Sequence, residues 1–281
     1  MRHIAKHKLA SNFTFRPNQN LSLYEECLYG KMAQKKFPHR LESTSQPLQL
    51  IHTDLCGPLP ERSLTQNIYF ITFIDDFTRF TIFKFLKDKS GPTVLRAFQQ
   101  YHTFVSTQLE LQIKSLQSDN GSEYINIPFR SYCESHGIFQ RFTVPSTPQQ
   151  NGLAERKNQT LLDSAQSLLA VAGLSNTFWE EAVATACYLQ NRTYSRSIKA
   201  IPYTLWFNSP PDYASLRVFG SPCYAYVPAE SRHKLDSHAT KAIFTGYGDC
   251  HGVKGYHLYN STSKRFFYSR SLFFSEKRSF H

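Results

Sequence analysis

Three acidic residues stand where the sequence indicates a turn or the start of a helix. Asp54 lies in the string HTDLCGP, Asp119 lies in SDNGSEY, and Glu155 lies in TPQQNGLAERKN, with 35 residues between the last two. Carboxylate oxygens are the ligands that Mg²⁺ and Mn²⁺ prefer. Two such ions about 3.5–4 Å apart can stabilise both the attacking and the leaving oxygen of a phosphoryl displacement. If the fold brings these acids together, they predict metal-assisted chemistry on a phosphodiester.

Each acid alone also has an ordinary structural explanation. Asp54 precedes a Gly-Pro turn and would act as a local cap, while Asp119 opens an Asp-Asn-Gly turn. Glu155, at the start of a helix, would interact favourably with the helix dipole. The metal hypothesis therefore depends on the three acids being neighbours in space.

The hydrophobic pattern predicts a mixed α/β domain that would position these acids. Three strands open the domain, and a helix, a strand, a short helix, a strand and two helices follow. In chain order, these elements are expected over 48–54, 69–74, 79–86, 93–105, 109–116, 128–135, 138–144, 155–172 and 177–188. Three antiparallel strands that open an α/β order fit a mixed sheet with helices on both faces.

The acids occupy matching places in this order of elements. Asp54 closes the first strand, Asp119 follows the fourth strand, and Glu155 opens the long helix. The ends of the first and fourth strands can be neighbours, and a helix leaving the same edge would add the third carboxylate. Residues 218–274 differ in character, because their short aromatic strands are interrupted by Gly, Pro and Asp. That pattern predicts a small β-barrel.

Composition narrows the class of protein. The 281 residues carry a net charge of +11. Residues 1–45 hold 8 Lys and Arg against 3 Asp and Glu, residues 46–216 hold 14 of each, and residues 217–281 hold 10 against 4. A neutral middle between two basic ends favours nucleic acid as the partner. The sequence has no apolar run of about 18 residues, no leader pattern and no close cysteine pair, so a membrane span, secretion and a disulfide framework are not expected.

Taken together, the motifs resemble the integrase region of copia-type LTR retrotransposon polyproteins, in the retroviral integrase superfamily. The resemblance covers roughly residues 24–276. The strings that carry it are HTDLCGP, FITFIDDFTRF, SDNGSEY, TVPSTPQQNGLAERKN, RVFGSPCYAYVP, KLDSHATKAIFTGY and KGYHLYN. Because no protease or reverse transcriptase segment follows, the chain is expected to be a truncated or degenerate piece of such a polyprotein.

The resemblance implies an α/β fold and an activity. An RNase H-like catalytic core, with a mixed five-stranded sheet flanked by helices, is expected over 46–212, and a small SH3-like, DNA-binding β-barrel over 217–276. The metal-binding acids of the family fall on Asp54, Asp119 and Glu155, and the implied cofactor is Mg²⁺ or Mn²⁺. The implied reaction has two steps, in which water attacks near the end of the element's DNA and the freed 3′-hydroxyl then attacks target DNA.

Polar and basic residues beside the acids are candidate DNA contacts. As hydrogen-bond donors and cations at a helix start or an active-site turn, they could hold phosphates, although a solvated helix end would explain most of them as well. The candidates are Asn120, Gln150, Asn151, Arg156 and Lys157. The neighbouring acids of the FIDDFTRF string, Asp75 and Asp76, are interpreted as structural, with Arg79 as a partner.

Residues 1–45 are interpreted as a basic remnant of an N-terminal zinc-binding module and a linker. The family motif places a C-x-x-C pair before Gly-Lys, but the string here is YEECLYGK, with Tyr24 in the first position and Cys27 in the second. A phenol is a poor substitute for a thiolate in a tetrahedral zinc site, so zinc is not expected. His3 and His7 have ligand-like spacing but fall in the helix after the family's histidine pair.

Double-stranded DNA, as element ends and as target, is the expected partner, and a homo-oligomer is expected if the chain is active. No membrane association is expected. The reaction places the protein in the nucleus, with assembly in the cytoplasm as an alternative. Two other functions remain open on the sequence alone, namely a non-catalytic nucleic-acid-binding relic and an RNase H-type nuclease acting on RNA–DNA hybrids.

Overall fold

The computed structural model describes residues 44–142, 151–248 and 252–275, and two β-sheets dominate them. The expected N-terminal module, including the question of zinc, lies outside the described residues apart from its last two positions. The first sheet consists of β1 (Ile51–Cys56), β2 (Tyr69–Asp75), β3 (Thr81–Leu86), β4 (Ser115–Ser118) and β5 (Phe139–Phe142). Its strand order is β3-β2-β1-β4-β5; β1, β2 and β3 are antiparallel, and β4 and β5 run parallel to β1. The mixed five-stranded sheet is therefore confirmed.

Helices cover both faces of this sheet. They are α1 (Gly91–Leu109), α2 (Ile127–Ser135), α3 (Gly152–Ala172), α4 (Trp179–Asn191) and α5 (Pro202–Phe207). As expected, α3 ends at Gly173, which adopts the left-handed conformation at φ 62° that favours glycine. Within the described ranges, no helix has both the length and the apolar character that crossing a membrane requires.

The strand expected over 109–116 was placed too early. Helix α1 continues beyond Val105 to Leu109, which packs against the core, and it ends where Glu110 turns left-handed at φ 54°. Pairing with the sheet begins only when the Lys114 amide donates to the Leu48 carbonyl. The apolar residues between helix and strand fill the edge of the core without strand geometry.

Strand β2 organises the core because it is buried along its whole length. Since side chains alternate along a strand, Ile71 and Phe73 face α1 and α2, and Phe70 faces α3 and α4. The Phe73 ring stacks on Tyr101 at a centroid distance of 4.3 Å, and Phe70 lies 6.2 Å from the Trp179 ring. One continuous apolar strand thus joins two hydrophobic clusters.

The second sheet is antiparallel throughout and follows the first domain. Its strands are β6 (Pro222–Tyr226), β7 (Ala239–Tyr247), β8 (Tyr256–Asn260), β9 (Arg265–Ser269) and β10 (Leu272–Phe274). Their order is β10-β6-β7-β8-β9, and the interior holds Cys223, Phe244 and Leu258. This small all-β unit agrees with the barrel expected after residue 217.

The barrel packs closely on the helices of the core. The Phe178 ring meets Tyr259 edge-on at 4.9 Å, and Tyr188 of α4 stacks on Tyr247 of β7 at 3.8 Å. At Gly220, a Cβ would lie 2.3 Å from the Cβ of Ala172 at the end of α3. Only a residue without a side chain allows this approach, so the start of the barrel is fixed against the helix that carries Glu155.

Glu181, buried in α4, predicts a pH-dependent stability. Burial, and to a smaller extent Glu180, raises the pKa of Glu181 from 4.5 to about 8. Because the folded chain then binds a proton that the unfolded chain releases, stability falls as pH rises from about 4.5 to about 8, by on the order of 4 kcal/mol. Glu181→Gln should remove this loss, so denaturant unfolding should show little difference between variant and wild type near pH 5 and a more stable variant near pH 8.

The exposed acid of α2 provides the control for that experiment. Glu134→Gln makes the same substitution at an exposed position and shows what the change of residue does without burial. A Glu181→Gln difference that does not change with pH would contradict the buried, protonated state.

Candidate active site

The first two acids are aligned by the parallel pairing of β1 and β4. The register pairs Ile51 with Leu116 and His52 with Gln117, and its continuation puts Asp54 level with Asp119. Asp54 lies at the half-buried end of β1, and Asp119 is the first residue after β4. The prediction that these strand ends are neighbours is therefore confirmed.

A tight turn orients Asp119. Its Oδ1 accepts a hydrogen bond from the Gly121 amide at 3.0 Å. A Cβ at Gly121 would lie 2.7 Å from the Glu123 carboxyl carbon, so a glycine at this position leaves space for the Glu123 side chain. Below the turn, the buried Tyr124 hydroxyl lies 3.3 Å from Thr53 Oγ1 on β1, which ties the turn to the central strand.

Helix α3 brings the third acid to the same edge of the sheet. Glu155 lies in the first turn of the helix and is exposed. The residue before the helix, Asn151, is buried, and its Nδ2 donates to the Thr53 carbonyl at 3.3 Å. The start of α3 is thereby attached to β1 one residue before Asp54.

The electrostatics of Asp54 reflect this convergence. Burial is the main reason that the pKa of its carboxyl is raised to about 7; the charges of Asp119 and Glu155 also raise it, and a hydrogen bond from Asn158 lowers it. The charges of both other acids act on the carboxyl of Asp54, so the three acids named from the sequence lie in the same region of the fold.

Two positioning residues were not named from the sequence. Asn158 Nδ2 donates to Asp54 Oδ2 at 2.9 Å, and Thr72 Oγ1 donates to Asn158 Oδ1 at 2.8 Å. The spacing in the sequence points to Asn158, which stands three residues after Glu155 and therefore on the same face of α3. Thr72 lies directly opposite Asp54 in the pairing of β1 with β2. This buried chain of hydrogen bonds fixes the first acid from two elements.

The donor set suits a hard divalent cation. All three acids offer only carboxylate oxygens, and a cation beside Asp54 would offset the repulsion that raises the pKa of this residue. In the ranges that the structure covers, no three His, Cys, Asp or Glu side chains stand close enough to enclose an ion. The charges of Asp119 and Glu155 thus act on Asp54, but the three side chains do not form a closed metal-binding cage.

The candidate DNA contacts occupy different environments. Asn120 and Arg156 are exposed, and Arg156 Nε donates to the Gly152 carbonyl at 2.7 Å. Lys157 is half-buried near Cys187 of α4, and burial lowers the pKa of its amine. Gln150 lies outside the described residues. Their DNA contacts, and that of the buried Asn151, remain predictions.

The two acids at the end of β2 form a structural turn. Asp75 Oδ1 accepts from the Leu48 amide at 2.8 Å, while Asp76 Oδ1 accepts from Arg79 Nη1 at 3.1 Å. His52 Nε2 also lies 3.0 Å from Asp76 Oδ1. The structural interpretation of this acid pair, with Arg79 as the partner of Asp76, is confirmed.

Comparison with known proteins agrees with this architecture. The family described as "Integrase core domain" matches residues 44–148, and the "Retroviral polymerase SH3-like domain" matches residues 221–281. The simian T-cell lymphotropic virus intasome in complex with PP2A regulatory subunit B56 gamma shares the fold, with a TM-score of 0.51 and 15% identity over 87% of this chain and 85% of that chain.

Curated relatives are polyproteins of plant transposons. The Retrovirus-related Pol polyprotein from transposon TNT 1-94 of Nicotiana tabacum is 42% identical over 251 residues, which are 89% of this chain and 19% of that protein. The Retrovirus-related Pol polyprotein from transposon RE2 of Arabidopsis thaliana is 33% identical over 232 residues, or 82% and 16%. The chain thus spans less than a fifth of either polyprotein. The chain thus contains an integrase core domain followed by a retroviral SH3-like domain, which is the order expected of a copia-type retrotransposon integrase fragment.

Proposed function

We propose that this chain is an integrase-type polynucleotidyl transferase that inserts element DNA into target DNA with Mg²⁺ or Mn²⁺ as cofactor. The observation that carries the proposal is that Asp54, Asp119 and Glu155 lie toward the same edge of the sheet, where the charges of the other two acids act on the carboxyl of Asp54. Structural clusters of acids are ordinarily paired with cations. In the described part of the chain, the ion pairs join Asp76 to His52 and Arg79, and none involves these three acids.

Different residues of the chain would have different roles in such a site. The three carboxylates would hold the metal, which when bound activates the attacking oxygen and stabilises the leaving oxygen. Asn158, itself held by Thr72, orients the carboxylate of Asp54. Catalysis then depends on positioning and on charge neutralisation, and no covalent enzyme intermediate is needed.

The same site would serve both steps of the reaction. In 3′-end processing, water attacks a phosphodiester near the element's end, and in strand transfer the freed 3′-hydroxyl attacks target DNA. Arg156, exposed beside Glu155, is placed to hold a phosphate of the bound strand. The basic barrel adds a second DNA-binding surface, and joining two element ends calls for a homo-oligomer that acts in the nucleus.

A non-catalytic DNA-binding protein is the second candidate function. It is favoured by the charge of residues 217–281, which hold 10 Lys and Arg against 4 Asp and Glu. Such a protein would bind DNA with log affinity falling linearly in log salt, and it would not cut DNA. The two candidates therefore differ in cutting and not in binding.

Asp119→Asn should abolish Mn²⁺-dependent nicking of supercoiled plasmid while leaving DNA binding within about twofold of wild type. The change removes one carboxylate charge from the metal-binding set and keeps its shape. Agarose gels would measure nicking, with EDTA as the blank, and fluorescence anisotropy would measure binding.

Asp163→Asn is the matched control, because Asp163 is an exposed acid farther along α3. It should nick like wild type. Equal nicking by wild type and Asp119→Asn would exclude the proposed site, whereas salt-dependent binding without nicking by wild type would favour the second candidate. Cutting of RNA–DNA hybrids in place of plasmid would indicate an RNase H-type nuclease.

Mn²⁺ should also stabilise the folded chain, because an ion that binds the gathered carboxylates favours the folded state. At an ion concentration about 100 times the dissociation constant, the gain is about 2.7 kcal/mol. Thermal unfolding followed by circular dichroism should show a higher midpoint with Mn²⁺ for wild type and Asp163→Asn, and no shift for Asp119→Asn. A similar shift in all three proteins would place ion binding elsewhere.

Asn158→Ala should lower nicking about 10- to 100-fold, as loss of a residue that orients a metal ligand commonly does. The Mn²⁺ concentration for half-maximal nicking should rise at the same time, which a purely structural role would not produce. Gln166→Ala, at an exposed position of α3, is the control. Reduced nicking with an unchanged Mn²⁺ requirement would show that Asn158 supports only the fold.

A further inference from the structure

Three aromatic side chains form an exposed patch on the outside of the barrel. Tyr224 and Tyr226 of β6 are 43% and 51% exposed, and Phe273 of β10 is 71% exposed. Side chains alternate along β6, so Cys223 and Ala225 fill the interior while both tyrosines point outward. We refer to Tyr224, Tyr226 and Phe273 as the outer aromatic patch.

The strand register makes this patch a continuous surface. Phe273 pairs with Tyr224, and Tyr224 pairs on its other side with Lys241 of β7. With neighbouring strands about 4.8 Å apart, this row of three side chains extends about 10 Å across the sheet. Tyr226 stands two residues farther along β6, about 7 Å from Tyr224.

The rings of the patch differ from the other aromatic rings of the barrel. Tyr247, Tyr256 and Phe244 pack against one another inside, and Tyr259 and Phe266 pack against the core. Among the described residues, Tyr224 and Phe273 make no ring–ring contact, so their faces are open to a planar ligand.

Positive charge borders the patch. Lys241 completes the row of Phe273 and Tyr224, and the Arg232 guanidinium lies 5.9 Å from the Tyr226 ring centre. Of the two described acids of the barrel, Glu230 lies in the loop after β6, and Asp236 accepts a hydrogen bond from the His233 amide. Open aromatic faces beside cations complement a ligand with flat apolar groups and anionic links between them.

We infer that the outer aromatic patch binds single-stranded DNA. Unpaired bases would stack on Tyr224, Phe273 and Tyr226, and Lys241 would contact the phosphates. A duplex hides the faces of its bases and would use only the cations, so the patch distinguishes unpaired from paired strands. The choice of DNA over RNA rests on the proposed function, whereas the choice of a single strand rests on the open rings.

The test compares binding of the full chain to single-stranded and double-stranded DNA. A fluorescent oligothymidylate of about 12 nucleotides, free or annealed to oligoadenylate, would be titrated by anisotropy. Tyr224→Thr combined with Phe273→Thr keeps β-compatible residues at exposed positions. This double variant should bind the single strand at least tenfold more weakly and the duplex within about twofold of wild type.

Tyr194→Thr is the matched control, because Tyr194 is also an exposed tyrosine and lies in the core domain. It should bind both DNA forms like wild type. Unchanged single-strand affinity in the double variant, or an equal loss for the duplex, would overturn the inference. If that variant instead shifts the sedimentation of the free chain, the patch is a protein-docking surface, and stronger binding of oligouridylate than of oligothymidylate would make RNA the ligand.

Ultraviolet cross-linking provides a measurement that needs no variant. Wild-type chain irradiated with oligothymidylate should give cross-linked peptides that contain Tyr224, Tyr226 or Phe273, and cross-links confined to other segments would overturn the inference. Nicking of supercoiled plasmid is compared between wild type and Asp119→Asn, both of which keep the outer aromatic patch intact. Because binding to the single strand and nicking are measured separately, failure of this inference and failure of the proposed function give different results.

Discussion

Burial of Asp54 beside the charges of two other acids is the constraint on which the arrangement of the core domain depends. Carboxylates repel one another, so the fold must hold each of the three acids in place, and it does so with three different elements. The central strand β1 carries Asp54, the turn after β4 carries Asp119, and the first turn of α3 carries Glu155. Strand β2, which is buried along its whole length, pairs with β1 and anchors it between the two hydrophobic clusters.

Helix α3 has contacts with every part of this arrangement. Its start is attached to β1 through Asn151, and its second turn holds the first acid through Asn158. Farther along, Leu161 and Ala165 pack into the cluster shared with α4, and the end at Ala172 meets Gly220 of the barrel. Chemistry, core packing and attachment of the barrel therefore depend on a single helix.

The sequence predicted most of the fold because its strongest signals are local. The apolar β2, the glycine stop of α3 and the aromatic barrel strands follow from periodicity and turn residues. The three acids could be named because a turn or a helix start marks each of them. The roles of Thr72 and Asn158 were harder to see, since they arise from cross-strand register and from the rotation of a helix. Most of the expected strand over 109–116 was wrong, because packing of Leu109 against the core extends α1 and β4 begins only at Ser115.

The attachment of α3 at both ends limits how its length can change in evolution. Adding one residue between Glu155 and Leu161 would rotate the start of the helix by about 100° relative to its packed portion, and the acid would leave the sheet edge. Adding seven residues, close to two turns, would restore the direction but move the acid by about 10 Å. Insertions are therefore tolerated only outside α3, and variation among related chains should accumulate in the loops between the barrel strands.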